Sequence, residues 1–328
     1  MFRSLRAPGA PMSMWGDVVF KCMIAIALIA SAHAAPATRP AGIVTILQGR
    51  AIVIRALSQF EAAEGMRLLA DDLVKTDKDT FVRIEYEDQS SIELGSETQL
   101  QVNHPAARKK SNRPALYVLE GWLKVGAGKG DSAGKPAFGS VGMDVVDVTG
   151  VMVMRGDSAS RELFAEQGAA RWIDRDPRGA EPVTLKQGDF LVAAQDRPPK
   201  TQARPSADFT AALPRPFRDT LPFRYDLFKD RSVAPKGQVP FNYADVEPWL
   251  NAEPSIRRQF VVMWRRKADN PAFRASLDRD LQKHPEWDPV LHPEKYEPKP
   301  PPVPPTPSPA AASQPPPAQP ATTLPQNP

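Results

Sequence analysis

Apolar and polar residues alternate with a period of two along the first half of the chain. In the clearest run, Val82–Glu87, apolar side chains take one face and charged side chains take the other. Asp88-Gln89-Ser90 interrupts the run, and Ile92 and Leu94 resume it. A β-strand imposes this period on its side chains, and polar turn residues separate successive strands. Residues 41–195 are therefore predicted to form a β domain of short strands that each bury one face.

A short motif recurs in this domain: a strand end, a polar residue, a glycine and the start of another strand. Its glycines are Gly49, Gly121, Gly150, Gly168 and Gly188, and the last three are 18 and 20 residues apart. Such spacing suits stacked rungs in which glycine turns each corner. The predicted fold class is mainly β, as a short β-solenoid-like domain. A β-sandwich or an open barrel is the alternative.

The rest of the chain divides into three segments by composition. Residues 196–243 are rich in Pro and Arg and are predicted to be a linker. Residues 244–295 show helical periodicity, with Pro254 and Asn270-Pro271 as helix starts, and predict a small α-helical module. In residues 296–328, 14 of 33 positions are Pro, which predicts a disordered tail with polyproline II character.

The helical module contains one strongly basic stretch. Within residues 254–267 there are five basic residues and no acid: Arg257, Arg258, Arg265, Arg266 and Lys267. One interpretation is an interaction surface for an acidic envelope component, such as anionic headgroups or cell-wall carboxylates. The other is a solvated face balanced by nearby acids, since residues 245–295 hold nine basic and nine acidic residues.

The N-terminus has the three-part pattern of a secretory signal peptide. Arg3, Arg6 and Lys21 precede an apolar run from Cys22 to Ala32, and Ala32-His33-Ala34 has small residues at both key positions. We expect a signal peptide over residues 1–34, with cleavage after Ala34. An uncleaved signal anchor is the alternative. The mature protein is then expected in the periplasm or outside the cell, without a transmembrane segment.

Charge and composition exclude several classes of protein. The 328 residues have a net charge of +4, and removal of residues 1–34 leaves 39 Lys+Arg against 37 Asp+Glu. This near balance argues against nucleic acid as a partner. One Cys and four His leave no basis for a disulfide framework or a Cys-rich zinc site. We expect no enzyme activity, no catalytic residues, no metal site and no cofactor.

Residues 41–193 resemble the FecR-type domain of bacterial cell-envelope proteins. The resemblance is carried by several stretches: Gly42–Val44, Gln48–Ala51, Gly65–Leu68, Asp72–Thr76, Phe81–Leu94 and Leu119–Val125. It implies an all-β, solenoid-like domain outside the inner membrane. In the best-known members, this domain follows a transmembrane helix, receives a signal from an outer-membrane receptor and controls a sigma factor.

This chain departs from the family pattern in two ways. It lacks the expected membrane helix and cytoplasmic anti-sigma segment, so signalling by this chain alone is not expected. Gln89 stands where the family usually has Gly, and we expect the turn there to be of a different type.

Three functions are compatible with these patterns. The leading hypothesis is a non-enzymatic exported envelope protein with a binding or scaffold domain, whose partner is another envelope protein or a cell-wall component. The first alternative is a periplasmic component of surface signalling that acts in trans on a sigma/anti-sigma system. The second is a carbohydrate-binding or carbohydrate-active protein, with Trp122 and Trp172 as candidate exposed aromatics unless both fill the β core.

Overall fold

The computed structural model describes residues 42–102, 116–129, 134–157, 159–176, 179–194, 197–231 and 233–296. The predicted signal peptide and nearly all of the Pro-rich tail lie outside these residues. The chain divides into two compact units, Met1–Ile256 and Arg257–Pro328, and each is described by itself. In the described part of the chain, no helix combines the length and the apolar character needed to cross a bilayer.

The first unit contains eighteen strands among its described residues. They are β1 (Gly42–Gln48), β2 (Ala51–Arg55), β3 (Ser58–Glu61), β4 (Arg67–Leu68), β5 (Leu73–Thr76), β6 (Phe81–Glu85), β7 (Ser91–Leu94), β8 (Gln99–Val102), β9 (Leu116–Gly126), β10 (Phe138–Ser140), β11 (Met143–Val146), β12 (Val151–Gly156), β13 (Ser160–Gln167), β14 (Ala169–Asp174), β15 (Val183–Lys186), β16 (Phe190–Ala194), β17 (Lys200–Gln202) and β18 (Lys236–Pro240).

These strands form one large, curled sheet with two halves. Half A contains β1, β4, β6, β7, β12, β13, β16, β17 and the second part of β9. Half B contains β2, β3, β5, β8, β10, β11, β14, β15, β18 and the first part of β9. The β9–β10 pair is parallel, and every other pair described is antiparallel. The predicted mainly β fold class is confirmed.

All five glycines of the recurring motif lie where the chain crosses between half A and half B. At Gly121, β9 leaves half B for half A with φ of +99°, and an added Cβ would lie 2.4 Å from Thr98 Cα. At Gly150, an added Cβ would lie 2.3 Å from the carbonyl oxygen of Gln167. The corners at Gly121 and Gly150 therefore exclude side chains by close backbone approach.

The main core lies between the two halves. It is built from the inward-facing residues of both, for example Val82, Ile84 and Leu163 from half A and Leu100 and Val145 from half B. Each of these five side chains is completely buried. The period-two alternation of residues 82–102 thus identifies the inward faces of β6, β7 and β8 correctly, because successive side chains of a strand point to opposite sides.

The turn at Gln89 differs from the expectation. Gln89 adopts φ of +63°, and its backbone N–H donates to the carbonyl of Tyr86 at 3.1 Å. This is a three-residue hairpin loop that ends in a left-handed residue, a position that favours Gly. The turn therefore keeps the conformation that Gly would favour, and Gln adopts it at a cost of roughly 1 kcal/mol.

Residues 206–224, here called the covering segment, pack on the outer face of half A. They include α1 (Ala207–Ala212) and a 3-10 helix (Arg215–Arg218), and α2 (Tyr225–Phe228) follows them. Phe209 and Phe217 are buried against outward-facing residues of half A, among them Phe81 and Phe190. The composition predicts a linker over 196–243, but the structure instead gives this part of it a packing role through its aromatic residues.

The covering segment also changes the environment of the charged face of β6. Arg83 is 8% exposed and Glu85 is completely buried, although the alternation predicts that both face water. Arg83 donates to Glu85 at 2.7 Å and to Glu93 at 2.5 Å, and Glu85 accepts the backbone N–H of Arg224 at 2.7 Å. Pairing makes this burial tolerable, since buried charges need partners.

The first unit also contains α3 (Tyr243–Leu250). The ring centroid of Trp249 in this helix lies 6.2 Å from that of Tyr117. The boundary between the two units falls within α4 (Pro254–Met263), whereas the composition starts the helical module at residue 244. The second unit also contains α5 (Pro271–Arg279), α6 (Asp288–Leu291) and three 3-10 helices (Arg265–Asp269, Pro285–Trp287 and Pro293–Lys295). As predicted, Pro254 begins α4 and Asn270 caps α5.

A candidate binding cleft at one end of the sheet

The ends of several strands from both halves surround a cleft of about 700 Å³ in the first unit. Half B contributes the β10–β11 turn and the end of β14, while half A contributes the start of β13 and the end of β16. Residues 197–199 and Glu253 complete the lining. This volume is within the roughly 300–1,000 Å³ typical of ligand sites, which often occupy the mouth of a closed or curled sheet.

The floor of the cleft is apolar and its walls are made of small side chains. Trp172 and Met143 are each 2% exposed, and the indole Nε1–H of Trp172 donates to Met143 Sδ at 3.2 Å. Ala180, Ala193 and Ala194 line the walls. Such a floor supplies apolar contact, while short side chains leave the space open for a ligand.

Arg161 is a charged side chain buried in the wall of this cleft, with 6% of its surface exposed. On β13 it shares the inward face with Leu163 and Ala165. Its cross-strand neighbour is Gly156, where an added Cβ would lie 2.9 Å from Arg161 Cδ. The absence of a side chain at position 156 therefore makes the space that the arginine occupies.

Hydrogen bonds hold the guanidinium of Arg161 in one orientation. Its Nε donates to Ser140 Oγ at 2.9 Å, and Nη1 donates to the carbonyl oxygens of Ser160, at 2.9 Å, and Asp157. Burial lowers the pKa of Arg161, but a guanidinium is basic enough to keep its positive charge inside a protein. Two of its three nitrogens are thus used by neutral protein oxygens.

Arg161 has no carboxylate partner among the described residues. No described carboxylate lies within 4.0 Å of its guanidinium, and its Nη2 has no hydrogen-bond acceptor in the described part of the chain. Buried charges in proteins are almost always paired, because removal of an ion from water is costly. An unpaired, buried arginine in a cleft wall is therefore typical of a site that binds an anion.

The acidic residues of the cleft are already engaged by protein donors. Glu253 Oε1 pairs with Arg175 Nη1 at 2.7 Å, and its Oε2 accepts the backbone N–H of Gly142 at 3.0 Å. Asp174 accepts backbone N–H groups from Asp176, at 2.9 Å, and Ala180, at 3.2 Å. These contacts connect the walls of the cleft, and they do not involve Arg161 Nη2, which has no acceptor among the described residues.

A half-buried acid, Asp144, lies beside the pair of Arg175 and Glu253. Asp144 Oδ1 lies 3.7 Å from Arg175 Nε, and burial raises the pKa of Asp144 while Arg175 acts in the opposite direction. Arg175 also lies over the ring of Tyr117, with its Cζ 5.6 Å from the centroid. This cluster positions the β10–β11 turn, which forms one rim of the cleft.

The basic residues predicted from the sequence lie in the second unit, in three different environments. Arg257 pairs with Glu286 at 2.8 Å, and Arg258 lies 3.7 Å from the same carboxylate with 70% of its side chain exposed. Lys267 is buried, with its ammonium 5.6 Å from the ring centroid of Phe273. Arg265 and Arg266 are exposed. Three of the five, Arg258, Arg265 and Arg266, thus remain available as a surface.

The two tryptophans suggested for carbohydrate binding are covered by protein. Trp172 forms the floor of the cleft, and Trp122 lies under the covering segment, 5.2 Å from the ring of Phe209 and 6.4 Å from that of Phe217. Neither side chain presents an exposed aromatic platform of the kind that stacks on a sugar.

Comparison with known proteins gives little similarity. No family model matches the chain, and no curated protein matches it. Two crystal structures, at 2.50 and 1.65 Å, of "a putative anti-sigma factor from Parabacteroides distasonis ATCC 8503" are similar over 43% of this chain, with 10% and 11% identity and a TM-score of 0.35 in each case. The matches cover 63% and 64% of those chains. At this identity and TM-score, the similarity carries no functional information.

Proposed function

We propose that this protein is a non-enzymatic binding protein of the bacterial cell envelope, and that its ligand or partner occupies the cleft at the end of the sheet. The observation that carries the proposal is the unpaired, buried Arg161 in the wall of a cleft with an apolar floor. A group of this kind lowers the stability of the isolated protein, because its desolvation is only partly compensated. Ligand binding provides the compensation.

The proposed location rests on the signal-like pattern of residues 1–34 and on the FecR-like segments of the β domain. The test is expression of the full chain in a Gram-negative host, followed by cell fractionation and N-terminal sequencing. We expect the protein in the periplasmic or extracellular fraction, with Ala35 as its first residue. Recovery in the cytosol with an intact N-terminus would contradict export.

The binding role is tested by chemical crosslinking of the full chain in the envelope, followed by mass spectrometry. The informative variant is Ala159→Trp, which places a large side chain at an exposed position in the cleft lining. The matched control is Glu87→Trp, at an exposed turn beside β7, at the opposite end of half A. We expect partners that are captured by the parent chain and the control but not by Ala159→Trp. Equal capture by all three proteins would exclude the cleft as the binding site.

The identity of the captured partner distinguishes the two remaining functions. The FecR-like segments favour surface signalling in trans as the second candidate. An outer-membrane receptor or a membrane-bound anti-sigma factor among the captured proteins would support signalling. Cell-wall proteins alone would support the scaffold function and argue against signalling.

A further inference from the structure

We propose that the cleft binds the carboxylate of a short peptide, with Arg161 Nη2 as the donor that recognises it. The inference rests on the proposed function, because it names the chemistry of the ligand for the same cleft. The recognised group is either a C-terminal carboxylate or an acidic side chain.

An anionic acceptor follows from the hydrogen bonds of the cleft. The carboxylates of Asp174 and Glu253 each receive two or more protein hydrogen bonds or ion-pair contacts, whereas Arg161 Nη2 has no acceptor among the described residues. A ligand that donates hydrogen bonds would compete with bonds that already exist. A ligand that accepts them meets a charged donor that has no acceptor among the described residues.

A carboxylate fits this donor better than a phosphate does. One guanidinium nitrogen remains, because Ser140, Ser160 and Asp157 already use the other two. A carboxylate carries a single charge and needs few donors, whereas phosphate sites combine several donors or cations to match a higher charge. The apolar floor of Trp172 and Met143 then contacts the carbon skeleton next to the carboxylate.

The residues around Arg161 hold it in position rather than bind the ligand. Ser140 Oγ accepts from Nε and fixes the plane of the guanidinium, and Gly156 leaves room for the side chain. We infer that Ser140 is a positioning residue. Its replacement by Ala keeps the charge of Arg161 but releases the orientation of Nη2, so it weakens binding less than loss of the arginine.

The test is isothermal titration of the purified full chain with four probes at equal ionic strength. The probes are acetyl-Ala-Ala-Ala with a free C-terminal carboxylate, its C-terminal amide, acetyl-Ala-Glu-Ala-amide and inorganic phosphate. We expect the free carboxylate or the glutamate peptide to bind at least about tenfold more tightly than the neutral amide, as for loss of one charge-assisted hydrogen bond. Which of the two binds identifies the source of the carboxylate.

Matched variants separate the role of Arg161 from a general charge effect. Arg161→Gln and Arg161→Lys both remove Nη2, and the lysine variant keeps the charge if the glutamine variant fails to fold. Arg155→Gln is the control, because Arg155 lies on the neighbouring strand and pairs loosely with Glu162 at 3.7 Å. We expect both Arg161 variants to lose at least about tenfold in affinity and Arg155→Gln to change it by less than about twofold.

Three results would overturn the inference: equal binding of carboxylate and amide, tighter binding of phosphate than of either carboxylate, or no binding of any probe at millimolar concentration. The first two leave the proposed function intact if Ala159→Trp still abolishes capture of the envelope partner. If capture is also unaffected by Ala159→Trp, the binding role of the cleft is wrong as well.

Discussion

Replacement of Phe209 by Ala tests whether the covering segment is part of the folded β unit or only a connection. Phe209 is 1% exposed and lies at the centre of an aromatic group, with ring centroids 5.0 Å from Phe190, 5.2 Å from Trp122 and 6.4 Å from Phe164. Removal of a buried Phe side chain costs about 3–5 kcal/mol, through lost transfer free energy and the cavity left behind. Each well-oriented aromatic pair adds roughly 0.5–1.5 kcal/mol to the interaction.

Equilibrium unfolding in urea measures this cost directly. We expect the free energy of unfolding of Phe209→Ala to fall by about 3–5 kcal/mol. We also expect faster hydrogen exchange over residues 206–224, together with faster tryptic cleavage after Arg218. The control is Leu227→Ala, because Leu227 is 59% exposed and its loss should change stability by less than about 0.5 kcal/mol.

The reasoning would be refuted by a loss below about 1 kcal/mol, which is the average cost of an arbitrary substitution. It would also be refuted if exchange in residues 206–224 is already fast in the parent chain, since the segment would then be open in solution. In that case the burial of Arg83 and Glu85 would need another explanation, because the covering segment is what keeps water from their side of β6.

Three further substitutions test the turns and the buried charges. Gln89→Gly should raise the free energy of unfolding by about 0.5–1 kcal/mol in urea titrations. Gly relieves the strain of the left-handed conformation at position 89, and the greater flexibility of the unfolded chain offsets part of this gain. An unchanged or lower free energy of unfolding would contradict the strain. Gly121→Ala should lower it by at least about 2 kcal/mol, because the added Cβ meets Thr98 and φ is +99°; a neutral result would show that the corner can shift. Burial raises the pKa of Glu93 above its usual value, with Arg83 acting in the opposite direction. The folded state therefore holds that proton more tightly than the unfolded state, and stability is lost as pH rises from about 4.5 through the folded pKa. Glu93→Gln should lack this loss in unfolding curves measured across that range, and parallel pH profiles would refute the assignment.

The cleft shows how far sequence patterns reach into the candidate site. Arg161, Leu163 and Ala165 occupy alternate positions of one strand, so a charged residue at an inward-facing position can be recognised from the period of two alone. The partners of Arg161 cannot be found in this way. Ser140 lies 21 residues away, and its contact with Arg161 depends on the crossing of the two halves of the sheet. Pattern analysis is local, whereas this site is assembled from separate strands.

The basic stretch near residue 260 shows where sequence proximity and spatial arrangement differ. Its five basic residues lie within eleven positions of the sequence, which suggests one surface. In the structure, Glu286 pairs with Arg257, and the ring of Phe273 lies next to the ammonium of Lys267. A helical segment distributes neighbouring residues around its axis, so a run of like charges in sequence does not remain together in space.

By itself, the sequence determined the local structure of this protein. The alternation of side chains set which face of each strand is inward, and the glycines set where the chain can cross between halves, because both depend on backbone geometry within a few residues. Only the tertiary structure decided which residues become buried on the outer face of the sheet and which charged group is left without a partner. Those outcomes depend on contacts between segments far apart in the chain, such as Phe209 with Phe190 and Lys124 Nζ with the carbonyl of Phe217, and on the exclusion of water that these contacts produce.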